Sequence, residues 1–108
     1  MNVYDEAHSL ARAIKESNEF IEFDKVRQEV NADKEVSEMI AEMQKLQLEL
    51  QATQISGTEP NADLISRIQS LSTMMATKPL AAKFMQSEAA FSIMMNDVFK
   101  IIGEAMGV

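Results

Sequence analysis

The single histidine of the sequence, His8, follows Asp5 by three residues. On a helix this spacing places the carboxylate and the imidazole on one face. The pair resembles half of a di-metal site, in which helices contribute carboxylate-x-x-His pairs and further glutamates. Only a symmetric dimer could supply the second histidine, and no inward-facing glutamate interrupts the apolar stripes. A surface histidine is therefore the favoured interpretation, and no metal ligand is assigned, although a metal-binding helical bundle is kept as an alternative.

Other catalytic chemistry lacks its essential groups. A serine hydrolase needs a base and a nucleophile elbow, but the sequence has one histidine and no Gly-x-Ser-x-Gly. Its glycines, Gly57, Gly103 and Gly107, are isolated and form no phosphate-binding loop. The absence of cysteine excludes a disulfide framework, a thiolate metal site and an iron–sulfur cluster on this chain. We therefore predict a protein that is not an enzyme, with no catalytic residue and no cofactor.

The charge of the chain is acidic and unevenly placed. There are 17 Asp and Glu against 10 Lys and Arg, which gives a net charge of −7. No basic stripe is present, so direct binding of nucleic acid is disfavoured. The N-terminal residues lack the pattern of a signal peptide, and every window of about 18 residues carries charge. We expect a cytoplasmic protein that does not insert into membranes.

Apolar residues recur at spacings of three and four, which predicts helices throughout. Five helices are expected, over residues 2–16, from Ser17 to about 31, 33–56, from Pro60 or Asn61 to before Pro79, and 79–105. Ser17 and either Asn31 or Asp33 are candidate N-caps, and Gly57 is the expected C-cap. The predicted inward face of the second helix includes Phe20, Phe23, Arg27 and Val30.

The third helix shows the clearest apolar stripe. It contains Val36, Met39, Met43, Leu46 and Leu50, widened by Ile40. Its glutamates, including Glu38 and Glu42, lie off this stripe and are expected to be solvated. In the fourth helix the corresponding face contains Leu64, Ile68, Leu71 and Met75. One methionine of the adjacent pair Met74-Met75 is expected to leave the core.

The last helix is apolar over too wide a sector for a single neighbour. Its stripe runs Leu80, Phe84, Ser87, Phe91, Met94, Val98, Ile101 and Ala105. Ser87 is expected either to bond back to a carbonyl one turn earlier or to allow a close helix crossing. Further apolar residues flank the stripe, and the candidate interaction surface is Phe91, Met94, Met95, Phe99, Ile102 and Met106.

The lengths of the helices bear on assembly. Helices of about 24 and 28 residues would span roughly 36 and 42 Å, whereas a compact globule of this size has a diameter of about 34 Å. The long helices should therefore overhang a monomeric core. The predicted fold class is all-α, with about five helices, two of them long, in a single domain over residues 1–108. We expect this helical bundle to assemble as a homodimer or higher oligomer.

Several positions together resemble a known family. They are Tyr4-Asp5-x-Ala7, Leu10-Ala11-x-Ala13-Ile14-Lys15-x-Ser17-x-Glu19-Phe20, Val30-x-x-Asp33, Gln47, Gly57, Pro79, Glu88-x-x-Phe91, Val98 and Ile101-Ile102. In order and spacing these residues resemble the YlbF/YmcA/YheA family of small bacterial helical proteins, and most of all its YheA-like branch. The resemblance extends through almost the whole chain and rests on helix joints and core positions.

The resemblance implies an oligomeric, cytoplasmic, all-α protein of Gram-positive type. Better-studied relatives are non-enzymatic regulators that associate with other proteins and influence competence, sporulation, biofilm formation and RNA processing through a membrane-attached ribonuclease. Some relatives use cysteines to hold iron–sulfur clusters, a property that does not transfer because this chain has no cysteine. The leading hypothesis is a protein–protein interaction or regulatory adaptor protein. The alternatives are the metal-binding bundle and an RNA-associated protein acting through a ribonuclease partner.

Overall fold

The computed structural model describes residues 2–59 and 61–107, which form five α-helices and no strand. The helices are α1 (Val3–Glu16), α2 (Asn18–Asn31), α3 (Lys34–Ser56), α4 (Ala62–Ala76) and α5 (Pro79–Met106). The two long helices, α3 and α5, contain 23 and 28 residues. The predicted all-α class is confirmed, and the predicted oligomer stays a prediction. Pro60, placed at the start of the fourth helix in one of the two predictions, lies outside the described residues.

Local side-chain chemistry determines where the helices begin. The Ser17 hydroxyl accepts a hydrogen bond from the Phe20 amide at 3.2 Å, and the Asp33 carboxylate accepts one from the Val36 amide at 3.1 Å. Asn61 caps α4 by accepting from the Leu64 amide at 2.6 Å, so that helix begins at Ala62. These caps satisfy amides that have no partner within their helix. The N-cap predicted at Ser17 is confirmed, and of the two candidates Asn31 and Asp33 it is Asp33 that caps α3.

Gly57 ends α3 in the left-handed conformation, with φ 76°, and its amide donates to the Gln54 carbonyl at 3.3 Å. We expect Gly57→Ala to lower the free energy of unfolding by about 1 kcal/mol, because alanine is strained at this φ. No atom lies within 4 Å of the added Cβ, so the cost is backbone strain and not a clash. Urea denaturation measures the loss. Gly57→Asn is the matched control and should lose less, since asparagine tolerates this conformation; an equal loss in both variants would contradict the explanation.

The chain is divided into two compact units. The central unit comprises Glu29–Lys83, and the terminal unit comprises the chain up to Gln28 together with the chain from Phe84 onward. In the central unit α3 contacts α4. The single domain expected over 1–108 stays a prediction.

The core of the central unit follows the predicted stripes. The buried residues of α3 and α4 are Val36, Met39, Ile40, Met43, Leu46, Leu64 and Met75. Leu46 is the most deeply buried of them, at 1% exposure, whereas Leu50 is half-buried. In the adjacent methionine pair Met75 is buried and Met74 is exposed, as predicted.

Ion pairs border this core. Arg67 of α4 lies 3.3 Å from Asp63 one turn earlier and 3.6 Å from Glu49 of α3. Lys78 donates to Glu35 at 2.9 Å, and this hydrogen-bonded carboxylate raises the pKa of Lys78 above its usual value. The Arg67–Glu49 and Lys78–Glu35 pairs are both substantially exposed to solvent. They therefore contribute little to stability. The solvated positions predicted for the α3 glutamates are confirmed for Glu35, Glu38 and Glu42, whereas Glu49 is half-buried.

Phenylalanines join α2 to α5 in the terminal unit. Phe23 stacks on Phe91 with ring centroids 5.3 Å apart and an interplanar angle of 8°. Tilted contacts at 5.7 Å link Phe20 to Phe91 and Phe23 to Phe84. We call these four residues the phenylalanine cluster. Offset or tilted aromatic pairs of this kind add favourable energy beyond the burial of their area.

The inward position predicted for Arg27 is wrong. Its neighbour Val26 is buried instead, while Arg27 is exposed, forms an ion pair with Asp24 and places its guanidinium carbon 5.4 Å from the centroid of the Phe23 ring. Burial of the guanidinium would require the loss of its hydration, whereas valine has none to lose. The apolar residue therefore takes the inward position.

Candidate functional site

Helix α5 carries two neighbouring apolar stripes. The inner stripe is the one that sequence analysis predicted, and it contacts α2 through Phe84 and Phe91 of the phenylalanine cluster. Ser87 on this stripe is buried and donates to the Phe84 carbonyl at 3.1 Å, as predicted. The inner stripe is not buried as far as the end of the helix: its last two residues, Ile101 and Ala105, are exposed.

The outer stripe lies beside the inner one and is displaced by one residue along the chain. It consists of Ser92, Met95, Phe99, Ile102 and Met106, spaced three and four. Met95 is half-buried, and the other four side chains are exposed. Phe99 is 61% exposed, which is unusual for a phenylalanine and identifies the stripe as an unpartnered apolar surface.

The structure divides the interaction surface that sequence analysis proposed. Phe91 belongs to the inner stripe and is used within the chain, in contact with Phe20 and Phe23. Met94 also lies on the inner stripe and is half-buried. Met95, Phe99, Ile102 and Met106 form the outer stripe. The spacing in the sequence could not separate the two stripes, because each satisfies the helical period.

The outer stripe is bordered by small, uncharged residues. Ala89, Asn96 and Gly103 recur at intervals of seven on its far flank, so they form a line along the helix. Small side chains there permit the close approach of a second helix. Residues 89–107 contain three charged side chains, Asp97, Lys100 and Glu104. At about 100° per residue these three fall within a sector of roughly 60° on the side away from the apolar stripes.

A second exposed apolar surface belongs to α1. No residue of Val3–Glu16 is buried, although this helix separates apolar from polar side chains more sharply than the other four described helices. Its apolar face contains Val3, Ala7, Leu10 and Ile14, of which only Ile14 is half-buried.

A third surface, which sequence analysis missed, lies on α3. Gln44, Leu48, Gln51 and Ile55 are exposed and are spaced four, three and four. The distribution of charge in the sequence could have indicated this surface, because every charged residue of α3 lies on another side of the helix. This surface alternates amides with aliphatic side chains, so it is less apolar than the outer stripe of α5.

An open groove of about 250 Å³ lies between α3 and α4 in the central unit. Glu42, Ser66, Arg67, Ser70 and Met74 are among the residues that line it. Its cation, Arg67, is already paired with Glu49 and Asp63. The groove thus offers little charge to recognise an anionic ligand.

The two candidate metal ligands predicted from the sequence, Asp5 and His8, do not belong to a larger cluster of ligating side chains among the described residues. Asp5 and His8 are exposed on α1. Across residues 2–59 and 61–107, no three or more His, Cys, Asp or Glu side chains gather where they could hold a metal ion. Over the same ranges, none of the helices combines the length and apolarity needed to cross a bilayer.

These features define a small all-α protein with exposed apolar helix faces. The chain belongs to the family described as "Control of competence regulator ComK, YlbF/YmcA", which matches residues 3–107. The family resemblance seen in the sequence is thereby confirmed, while assignment to the YheA-like branch stays a prediction. The family consists of regulators and of proteins of unknown function, and it is not a known enzyme class.

Relatives match almost the whole chain. A UPF0342 protein of Symbiobacterium thermophilum is 35% identical over 106 residues, covering 98% of this chain and 95% of its own. A UPF0342 protein of Caldicellulosiruptor saccharolyticus is 33% identical over 105 residues, and the match covers 97% of this chain and 88% of that relative. The solved "Protein of Unknown Function (DUF964)" from Bacillus stearothermophilus has a TM-score of 0.81 at 24% identity, with 97% of this chain and 92% of that chain covered. The similarity to this solved structure shows that the two chains share one fold.

Proposed function

We propose that this chain is a non-enzymatic regulatory adaptor that acts by protein–protein contact, with the outer stripe of α5 as its contact surface. The observation that carries the proposal is the exposure of Phe99, Ile102 and Met106 on one uncharged helix face. Burial of apolar area drives association at about 25 cal/mol per Å². The proposed adaptor is cytoplasmic and homo-oligomeric, and it also binds a further protein partner.

The composition of the stripe suits an adaptable surface. Met95 and Met106 are flexible and polarisable, so they can repack against partners of different shape. Phe99 supplies a rigid anchor of the kind that dominates binding energy. The description of the family as a control of the competence regulator ComK supports a regulatory role.

The experiment is affinity capture with the tagged full-length chain, comparing the wild type with Phe99→Glu. A charge at the centre of the stripe should reduce the amount of each specific partner at least about tenfold, because the carboxylate would have to be desolvated. Quantitative mass spectrometry measures the captured proteins, and circular dichroism checks the fold.

Ile93→Glu is the matched control. Ile93 is 63% exposed on the same helix, but it lies in the sector that contains Lys100 and Glu104. This variant should retain the partners. Identical captured sets from both variants, or recovery of the protein alone from several growth conditions, would overturn the proposed function.

A further inference from the structure

We propose that the outer stripe of α5 binds a second copy of the same stripe in antiparallel orientation, with the two-fold axis near Asn96. This inference rests on the proposed function, since it names one occupant of that surface, which a further protein partner would have to displace. It goes further by specifying the orientation and the register of the two helices.

Residue sizes along the stripe are self-complementary in this register. An axis close to residues 96 and 97 sets Met95 opposite Phe99 of the second copy, and Ser92 opposite Ile102 of the second copy. On the small flank, Ala89 lies opposite Gly103 of the second copy. Phe99 thus meets the more flexible Met95, and Ile102 meets the smaller Ser92, which allows close packing between the helices.

Asn96 favours a second copy over an apolar partner. It is exposed, and its amide is the polar group at the centre of the small flank. Beside an apolar partner the amide would lose its water and remain unsatisfied. Beside its own copy across a two-fold axis, each amide can donate to and accept from the other, an arrangement that also specifies register.

Electrostatics permit the approach of two acidic chains along this face. Each chain carries a net charge of −7, which disfavours association in general. Asp97 and Glu104 lie on the far side of α5, so they stay in water when the stripes meet. Lys100 follows Asn96 by one turn and borders the small flank, where its long side chain can keep the ammonium in water. Glu88 borders only the N-terminal end of the contact, where it is exposed.

The size of the surface limits the affinity. The stripe from Ser92 to Met106 is about 22 Å long, shorter than the contact expected of an interface that buries about 800 Å² per partner. We therefore expect a dissociation constant in the micromolar range. Sedimentation velocity from about 1 to 100 µM protein brackets this range.

Charges at the axis provide the decisive experiment. Asn96→Asp and Asn96→Lys each bring two like charges together in a homodimer, so each should weaken it about tenfold or more. An equimolar mixture of the two variants should form a heterodimer with at least wild-type affinity, because opposite charges then meet. Native mass spectrometry counts the homodimers and heterodimers, and circular dichroism confirms that both variants are folded.

Asp97→Asn and Lys100→Gln are the matched controls, since they produce the same net charges as the lysine and aspartate variants and should dimerise like the wild type. A wild-type monomer at about 100 µM would overturn the second-copy inference, as would a mixture that dimerises no better than its components. If either dimerisation result occurred while Phe99→Glu still lost its captured partners, only the second-copy inference would be wrong, and the adaptor function would still be supported. Equal capture by Phe99→Glu and Ile93→Glu would instead overturn the adaptor function.

Discussion

Leu46→Ala is expected to lower the free energy of unfolding by about 3–5 kcal/mol, because it removes a fully buried side chain and leaves a cavity. Leu46 is 1% exposed at the centre of the α3 core stripe. A domain of this size is stable by only about 5–15 kcal/mol, so the variant should denature at a much lower urea concentration. Far-UV circular dichroism follows the transition.

Leu48→Ala provides the matched control for this experiment. It makes the same chemical change two residues further along α3, where Leu48 is 66% exposed. Its effect should stay within about 0.5 kcal/mol, as is usual at the surface. Comparable losses in the two variants would show that α3 does not bury the face assigned to it.

Phe23→Ala is expected to lower the free energy of unfolding by about 2–3 kcal/mol. Phe23 contacts two rings of α5, since it stacks on Phe91 and tilts against Phe84. The expected loss is below that of a fully buried phenylalanine because the side chain is half-buried. The aromatic contacts account for about 1 kcal/mol of it. Urea denaturation gives the total loss.

Two further variants separate the origins of that loss. Phe23→Leu keeps most of the apolar volume and removes the stacking, so it should lose about 1 kcal/mol. Ile21→Ala removes an exposed side chain from the same helix and should have a small effect. If Ile21→Ala were as costly as Phe23→Ala, the phenylalanine cluster would not be what joins α2 to α5.

Helix boundaries could be predicted because the interactions that determine them are local. Asp33 is three residues from the amide it caps, and Gly57 adopts a conformation that other residues resist. The core stripe of α3 could be predicted for a related reason. Its charges are confined to one side, so that only one broad apolar sector is available to the core.

Other features depend on contacts that are distant in sequence. Val26 and Arg27 both lie within one turn of Phe23, so spacing alone does not decide which of them is buried. The two stripes of α5 present the same ambiguity. Which stripe is covered depends on the position of Phe20 and Phe23, about seventy residues earlier. The candidate surface stays a prediction, and Phe91, one of its predicted residues, is used within the chain.

The lack of burial in α1 affects how the N-terminal segment responds to solvent. A helix of 14 residues is marginal in water when nothing packs against it, because the cost of nucleation is recovered over few hydrogen bonds. Opening α1 exposes no core side chain, so its helix–coil equilibrium is set by its own sequence and by whatever covers its apolar face. Amide hydrogen exchange would thus report occupancy of that face directly, with the α3 core as an internal reference in the same molecule.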